Sequence, residues 1–118
     1  MSWNLDIDAW TQTMFGQCEL GDRRRTARLV SVARSVIENP SASFPDQMES
    51  WDRLKAAYRL FDAAGVTFDA IAAPHWEHTR QRAAGRTLVI CDTTELDFGS
   101  QRQIEGVSRT GNGSGQGF

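Results

Sequence analysis

The sequence predicts a mainly α chain, a small helical bundle over residues 1–84, followed over 85–118 by the first strand or strands of an α/β domain left incomplete. Three observations carry that reading. Apolar residues recur at helical spacing as far as the mid-eighties, and capping residues, prolines and glycines divide that stretch into segments of helix length. At Arg86 the pattern changes to Thr87-Leu88-Val89-Ile90-Cys91, a short and nearly unbroken apolar run that suits a strand buried on both faces.

Trp10 and Met14, four residues apart behind Asp8, predict a short first helix, with Trp3, Leu5 and Ile7 packing ahead of it. Asp22 follows Gly21 and is a good N-cap. The apolar spacing through Leu29, Val30, Ala33, Val36 and Ile37 then predicts a second helix from Arg23 to Glu38, stopped by Pro40. The stretch 39–45, with two prolines among small polar residues, predicts a loop. Ser50 caps a third helix whose core face is expected to be Trp51, Leu54, Tyr58 and Phe61, with Gly65 as its stop. Thr67 and Asp69 begin a fourth through Phe68, Ile71 and Trp76, which Pro74 should kink or restart and Gly85 should end. Leu96-Asp97-Phe98 predicts a second short extended piece, and the glycine-rich tail beyond Gly99 is expected to lack a core of its own.

The second helix opens on Arg23, Arg24 and Arg25, although the positive end of a helix dipole disfavours cations by roughly 0.3–1 kcal/mol each. At about 100° per residue, Arg24 and Arg28 share the face opposite the apolar set, and Arg25 flanks them. Guanidinium forks on one exposed face suit DNA phosphates and guanine edges. The same run also reads as an ordinary solvated face whose arginines pair with Glu19, Asp22 and neighbouring acids. Arg53, Lys55 and Arg59 on the third helix offer further phosphate contacts, or ordinary charges balanced by Asp52 and Asp62.

Charge supports only a local polyanion surface. Arg23 to Arg34 holds five Arg and no acid, a charge of +5 inside a chain whose net charge is −2. Cys18 and Cys91 form no metal or disulfide pattern, and no apolar stretch approaches the ~18 residues of a membrane span, so a cytoplasmic protein is expected. His75, Glu77 and His78 invite a metal reading, but the i, i+3 pair lacks the H-E-x-x-H arrangement and a third ligand, so a capping or helix-face role is expected. Asp92, at the end of the expected strand, stands where open sheets present metals and ligands; a simple turn with Thr93 and Thr94 is the other reading.

Together these features resemble the N-terminal part of the cut-and-paste DDE transposases of the Tn-five type, in the insertion-sequence-four family, over nearly the whole chain from Trp10. The likeness rests on the block Leu20-Gly21-Asp22-Arg23-Arg24-Arg25-Thr26-Ala27-Arg28-Leu29, on Ala57-Tyr58-Arg59, on Pro74-His75-Trp76, on the run ending in Asp92-Thr93-Thr94, and on the glycine-rich approach to Gly117-Phe118. It implies a helical domain that grips the terminal inverted repeats of the element, nucleoid-associated when bound, then a ribonuclease-H-like catalytic domain. It implies DNA contacts by Arg24, Arg25 and Arg28; Arg23 and Arg59 are further candidates from the charge pattern of the second and third helices. It implies that Asp92 is the first of three acids that hold Mg²⁺, the other two having no counterpart here.

The expectation is therefore a transposase fragment that binds double-stranded DNA, without metal and without cutting on its own. Full-length transposase would be a partner. Two alternatives stay open: a nuclease or transposase active only when another chain supplies the missing acids, and a non-enzymatic helical module for protein interaction.

Overall fold

A computed structural model of the chain describes residues 6–99, 103–111 and 115–118. The expected packing of Trp3 and Leu5 lies outside them. The chain divides into two compact units, Met1–Gly85 and Arg86–Phe118. The first holds α1 (Ile7–Phe15), α2 (Arg23–Glu38), α3 (Phe44–Met48), α4 (Trp51–Asp62) and α5 (Phe68–Arg82), and the second holds β1 (Ser108–Arg109) and β2 (Gln116–Gly117).

Each helix starts on a side chain that accepts a hydrogen bond from a first-turn amide. Asp6 accepts from Ala9, Asp22 from Arg24, Ser43 from Asp46, Ser50 from Arg53 and Thr67 from Ala70. The first helix thus begins at Asp6 rather than Asp8. An additional short helix, α3, falls partly in the expected loop: Ser43 caps it, and Pro45 sits in its first turn, where a missing N–H costs nothing and a fixed φ helps. A single residue in left-handed conformation, Glu49 (φ 65°), separates α3 from the cap of α4. Pro74 lies inside α5, which runs unbroken past it.

Two clusters make the core of this unit. Cys18, Leu20, Leu29, Leu60 and Val66 form one, flanked by Phe15, Ala63, Ala70 and Ile71. Val32, Met48, Leu54 and Ala57 form the other, flanked by Val36 and Phe44. On α4 the buried face is therefore Leu54, Ala57 and Leu60, not the expected set led by Trp51, Tyr58 and Phe61. Trp51 is 70 % exposed, while Ala57 is fully buried. The reason is closeness: α4 packs on both α2 and α3, and a methyl group at the tightest point lets the helices approach where a ring would hold them apart. Tyr58 and Phe61 lean instead on Phe44 of α3, at ring separations of 5.9 and 6.4 Å. At the other side, Arg34 ties α2 to α1 through Asp8 at 2.7 Å, and Phe15 meets His75 of α5 edge-on at 4.9 Å.

In the second unit the expected strand over Thr87–Cys91 does not form. Leu88, Val89 and Ile90 are 78–84 % exposed. A strand apolar on both faces needs neighbours along both edges, and the described residues supply none. Within the glycine-rich tail, by contrast, the described residues include an antiparallel pair of short strands in which Ser108 faces Gly117 and Arg109 faces Gln116. Leu96 and Phe98 add to it: Leu96 exchanges backbone hydrogen bonds with Phe118 (2.8 and 3.1 Å), and the Phe98 amide donates to the Gln116 carbonyl. Gly117 is obligatory there, because a Cβ would run into the Leu96 carbonyl.

The core assignment predicts a contrast measurable by urea unfolding. Leu20→Ala should cost about 3 kcal/mol through lost transfer energy and a cavity. Trp51→Ala should change stability by less than about 0.5 kcal/mol.

Candidate nucleic-acid interface

The start of α2 is held by the loop before it. That loop, residues 16–22, buries Cys18 and Leu20, so their backbone carbonyls must find donors inside the protein. Two side chains of α2 supply them. The Thr26 hydroxyl donates to the Cys18 carbonyl at 2.8 Å, and Nη1 of Arg25 donates to the Leu20 carbonyl at 3.0 Å. The Cys18 thiol contacts the Ile71 carbonyl of α5 at 3.5 Å, and burial pushes its pKa up, so it stays a protonated thiol rather than a reactive thiolate.

With Arg25, Thr26 and Leu29 turned towards the protein, Arg23, Arg24 and Arg28 are left exposed. Arg24 is the extreme case, its side chain 92 % exposed. Asp22 does two things beside it. One carboxylate oxygen caps the Arg24 amide at 2.8 Å, and the carboxylate also accepts from the Arg24 guanidinium at 3.1–3.4 Å. Those hydrogen bonds hold the Asp22 carboxyl below its usual range and raise the Arg24 pKa in turn. An ion pair this open to water contributes little, so a phosphate can displace Asp22 at small cost. Among the described residues Arg23 and Arg28 have no hydrogen-bonding or ion-pair partner. Along the same turn runs an open groove of about 510 Å³, lined in part by Gln12, Gln17, Asp22, Arg23 and Thr26.

Arg59 stands exposed on α4, on the side away from Leu54, Ala57 and Leu60, and lines a groove with Lys55, Tyr58, Phe61 and Asp62. Arg53, on the same helix, is engaged in structure. Its guanidinium donates to Glu49 at 2.9 Å and to the buried Ser35 hydroxyl of α2 at 2.5 Å. Arg34 is likewise occupied by Asp8 and Glu38. Sequence reasoning does not single out Gln12 and Gln17, which line the groove from the end of α1 and the loop. It also groups Arg25 with its exposed neighbours, although Arg25, Leu29 and Val32 share the core-facing i, i+4, i+7 spacing.

Asp92 is exposed. Glu95 and Asp97 are turned to the glycine-rich tail: the Glu95 carboxylate lies near Gly111, and Asp97 packs on Gly115 and accepts from the Gly99 amide at 2.8 Å. Among the described residues no three His, Cys, Asp or Glu side chains converge on one point. That donor set does not fit a two-metal centre, which needs several carboxylate oxygens around ions ~4 Å apart.

A family model described as transposase DNA-binding matches residues 7–66, which takes in α1 to α4 and the whole arginine-bearing turn. No solved structure matches the chain. No helix among the described residues is long and apolar enough to cross a membrane.

The Asp22 cap makes stability depend on pH in a defined direction. A carboxyl held below its unfolded value stabilises the fold above that value, and the gain is lost as pH falls through the folded pKa. The stability difference between the parent and Asp22→Asn should therefore be constant near neutrality and shrink below about pH 4, as read from urea midpoints across acid pH.

Proposed function

Because the chain belongs to the transposase DNA-binding family, we propose that its helical unit grips the terminal inverted repeats of a transposable element of the Tn-five type. Arg24 and Arg28, with Arg23 beside them, meet the DNA from the first turns of α2, and Arg59 adds a phosphate contact from α4. The observation that carries this is the exposure of Arg23, Arg24 and Arg28 on the first two turns of α2, with Arg23 and Arg24 at the positive end of the helix dipole, where cations are disfavoured unless an anion answers them. Among the described residues Asp22 answers them, through its cap on the Arg24 amide and through a pair with the Arg24 guanidinium that is open to water. With the Arg24 amide capped and the Arg25 guanidinium held by Leu20, the guanidiniums of Arg23, Arg24 and Arg28 are the side-chain donors that face outward.

The second unit takes a lesser part. Asp92 stands where the resemblance places the first of three metal-binding acids, ahead of the ribonuclease-H-like sheet that family would build. Cutting and joining DNA need several carboxylates around two metals, which the described residues do not bring together; the role proposed for the helical unit is to occupy transposon ends. Bound there, it competes with full-length transposase for the same sites. Mg²⁺-dependent cleavage by the purified chain would overturn that division of labour.

Binding is measured by fluorescence anisotropy with two labelled duplexes, one carrying the inverted repeat that flanks the coding sequence and one of mixed sequence. The Arg24→Ala/Arg28→Ala double variant should weaken binding and lower the slope of log K against log salt by about 2, near 0.9 for each phosphate no longer neutralised. Tight binding by that variant would remove α2 from the interface. Asp22→Asn, which keeps a capping oxygen but frees Arg24, should bind more tightly than the parent, with the gain fading as salt rises.

A further inference from the structure

We infer that Arg25 is a positioning residue for the DNA-binding turn rather than a phosphate ligand. This rests on the DNA-binding reading of α2 and gives one of its arginines a different task. Arg25 is half-buried where Arg23, Arg24 and Arg28 are exposed. Its Nη1 reaches back to the carbonyl of Leu20, a residue only 1 % exposed.

Two glycines make room for it. Gly21 has φ +86°, and a Cβ there would stand 3.4 Å from Nη1. At Gly65, in the turn after α4, a Cβ would stand 3.3 Å from Nη1 and 3.4 Å from the Leu20 carbonyl oxygen. One guanidinium therefore joins three segments of chain: the loop before α2, the first turn of α2, and the turn that closes α4. A planar, always-charged donor suits this work, because it can hold the Leu20 carbonyl while one end fits against Gly21 and Gly65.

This contact sets how the first turn of α2 sits relative to the end of α4, and so how Arg24 and Arg28 stand relative to Arg59. Loosening it leaves every phosphate-binding side chain in place but spoils their joint fit to one duplex. The weaker binding should not carry the salt signature of a missing phosphate ligand.

The salt slope separates the two roles. On the flanking-repeat duplex, Arg25→Ala should bind about tenfold more weakly than the parent, with a salt slope unchanged, whereas Arg28→Ala should lower the slope by close to one unit. Gly65→Ala changes no charge and puts a methyl 3.3 Å from Nη1, so the guanidinium must shift by a few tenths of an ångström; it should weaken binding in the same direction as Arg25→Ala but by less, with the slope unchanged. Combining the two should cost little more than Arg25→Ala alone, since without the guanidinium the Gly65 methyl has nothing to crowd there. Arg25→Lys, which keeps a donor but not the flat fork, should recover only part of the affinity. If Arg25→Ala does not fold, Gly65→Ala and Arg25→Lys carry the test.

A slope that drops by about one unit for Arg25→Ala while Gly65→Ala binds like the parent would make Arg25 a phosphate ligand and overturn the inference. So would variants that unfold more easily yet bind as tightly as the parent. Failure of the parent to bind either duplex would instead overturn the DNA-binding reading. The contact itself would still be tested then, by non-additivity of the Arg25 and Gly65 substitutions in urea unfolding.

Discussion

Two buried carbonyls, those of Cys18 and Leu20, organise the helical unit. A loop that dives into the core leaves backbone oxygens away from water, where an unmade hydrogen bond costs on the order of 1–3 kcal/mol. Thr26 and Arg25 of α2 satisfy both, which fixes the rotation of α2 about its own axis. Once those side chains face inward, Leu29 and Val32 must enter the core and Arg24 and Arg28 must leave it. The exposed arginines follow from the needs of the loop and are not a separate feature.

The same rotation explains the uneven roles of the arginines. Guanidinium groups are often grouped by charge alone, yet here their neighbours divide them. Arg25 and Arg53 bind protein oxygens between elements, Arg34 bridges two acids, Arg24 is loosely matched by its own N-cap, and Arg23 and Arg28 are unmatched among the described residues. Of these, Arg23 and Arg28 can offer their full donor sets to an outside anion, and Arg24 can do so once Asp22 yields. A fixed arrangement of few groups fits a net charge of −2 better than a diffuse basic surface would.

Much of the helical unit is legible in the sequence because its signals are local. A cap at Asp22, Ser50 or Thr67 involves three or four consecutive residues and little else. The burial of Ala57 in place of Trp51 is not local, since the worth of a small side chain lies in what it lets a neighbouring helix do. The short α3 hides for a different reason: Pro45 reads as a breaker unless the capping serine before it is weighed. The inward turn of Arg25 is within reach of helical spacing, but three adjacent arginines suggest one shared purpose. The run Thr87–Cys91 has the composition of a strand, and composition cannot supply the partners a strand requires.

That bare run has a bearing on how the chain behaves at high concentration. A proline-free run of five uncharged residues rich in β-branched side chains, three of the five largely in water, is the type of segment that associates edge to edge with copies of itself. Arg86 and Asp92 bracket it with one charge of each sign, as gatekeeper residues do. Neutralising Asp92 to silence metal chemistry would therefore also remove a guard against self-association, and a loss of signal in such a variant would need light scattering beside it before it could be read as a loss of catalysis.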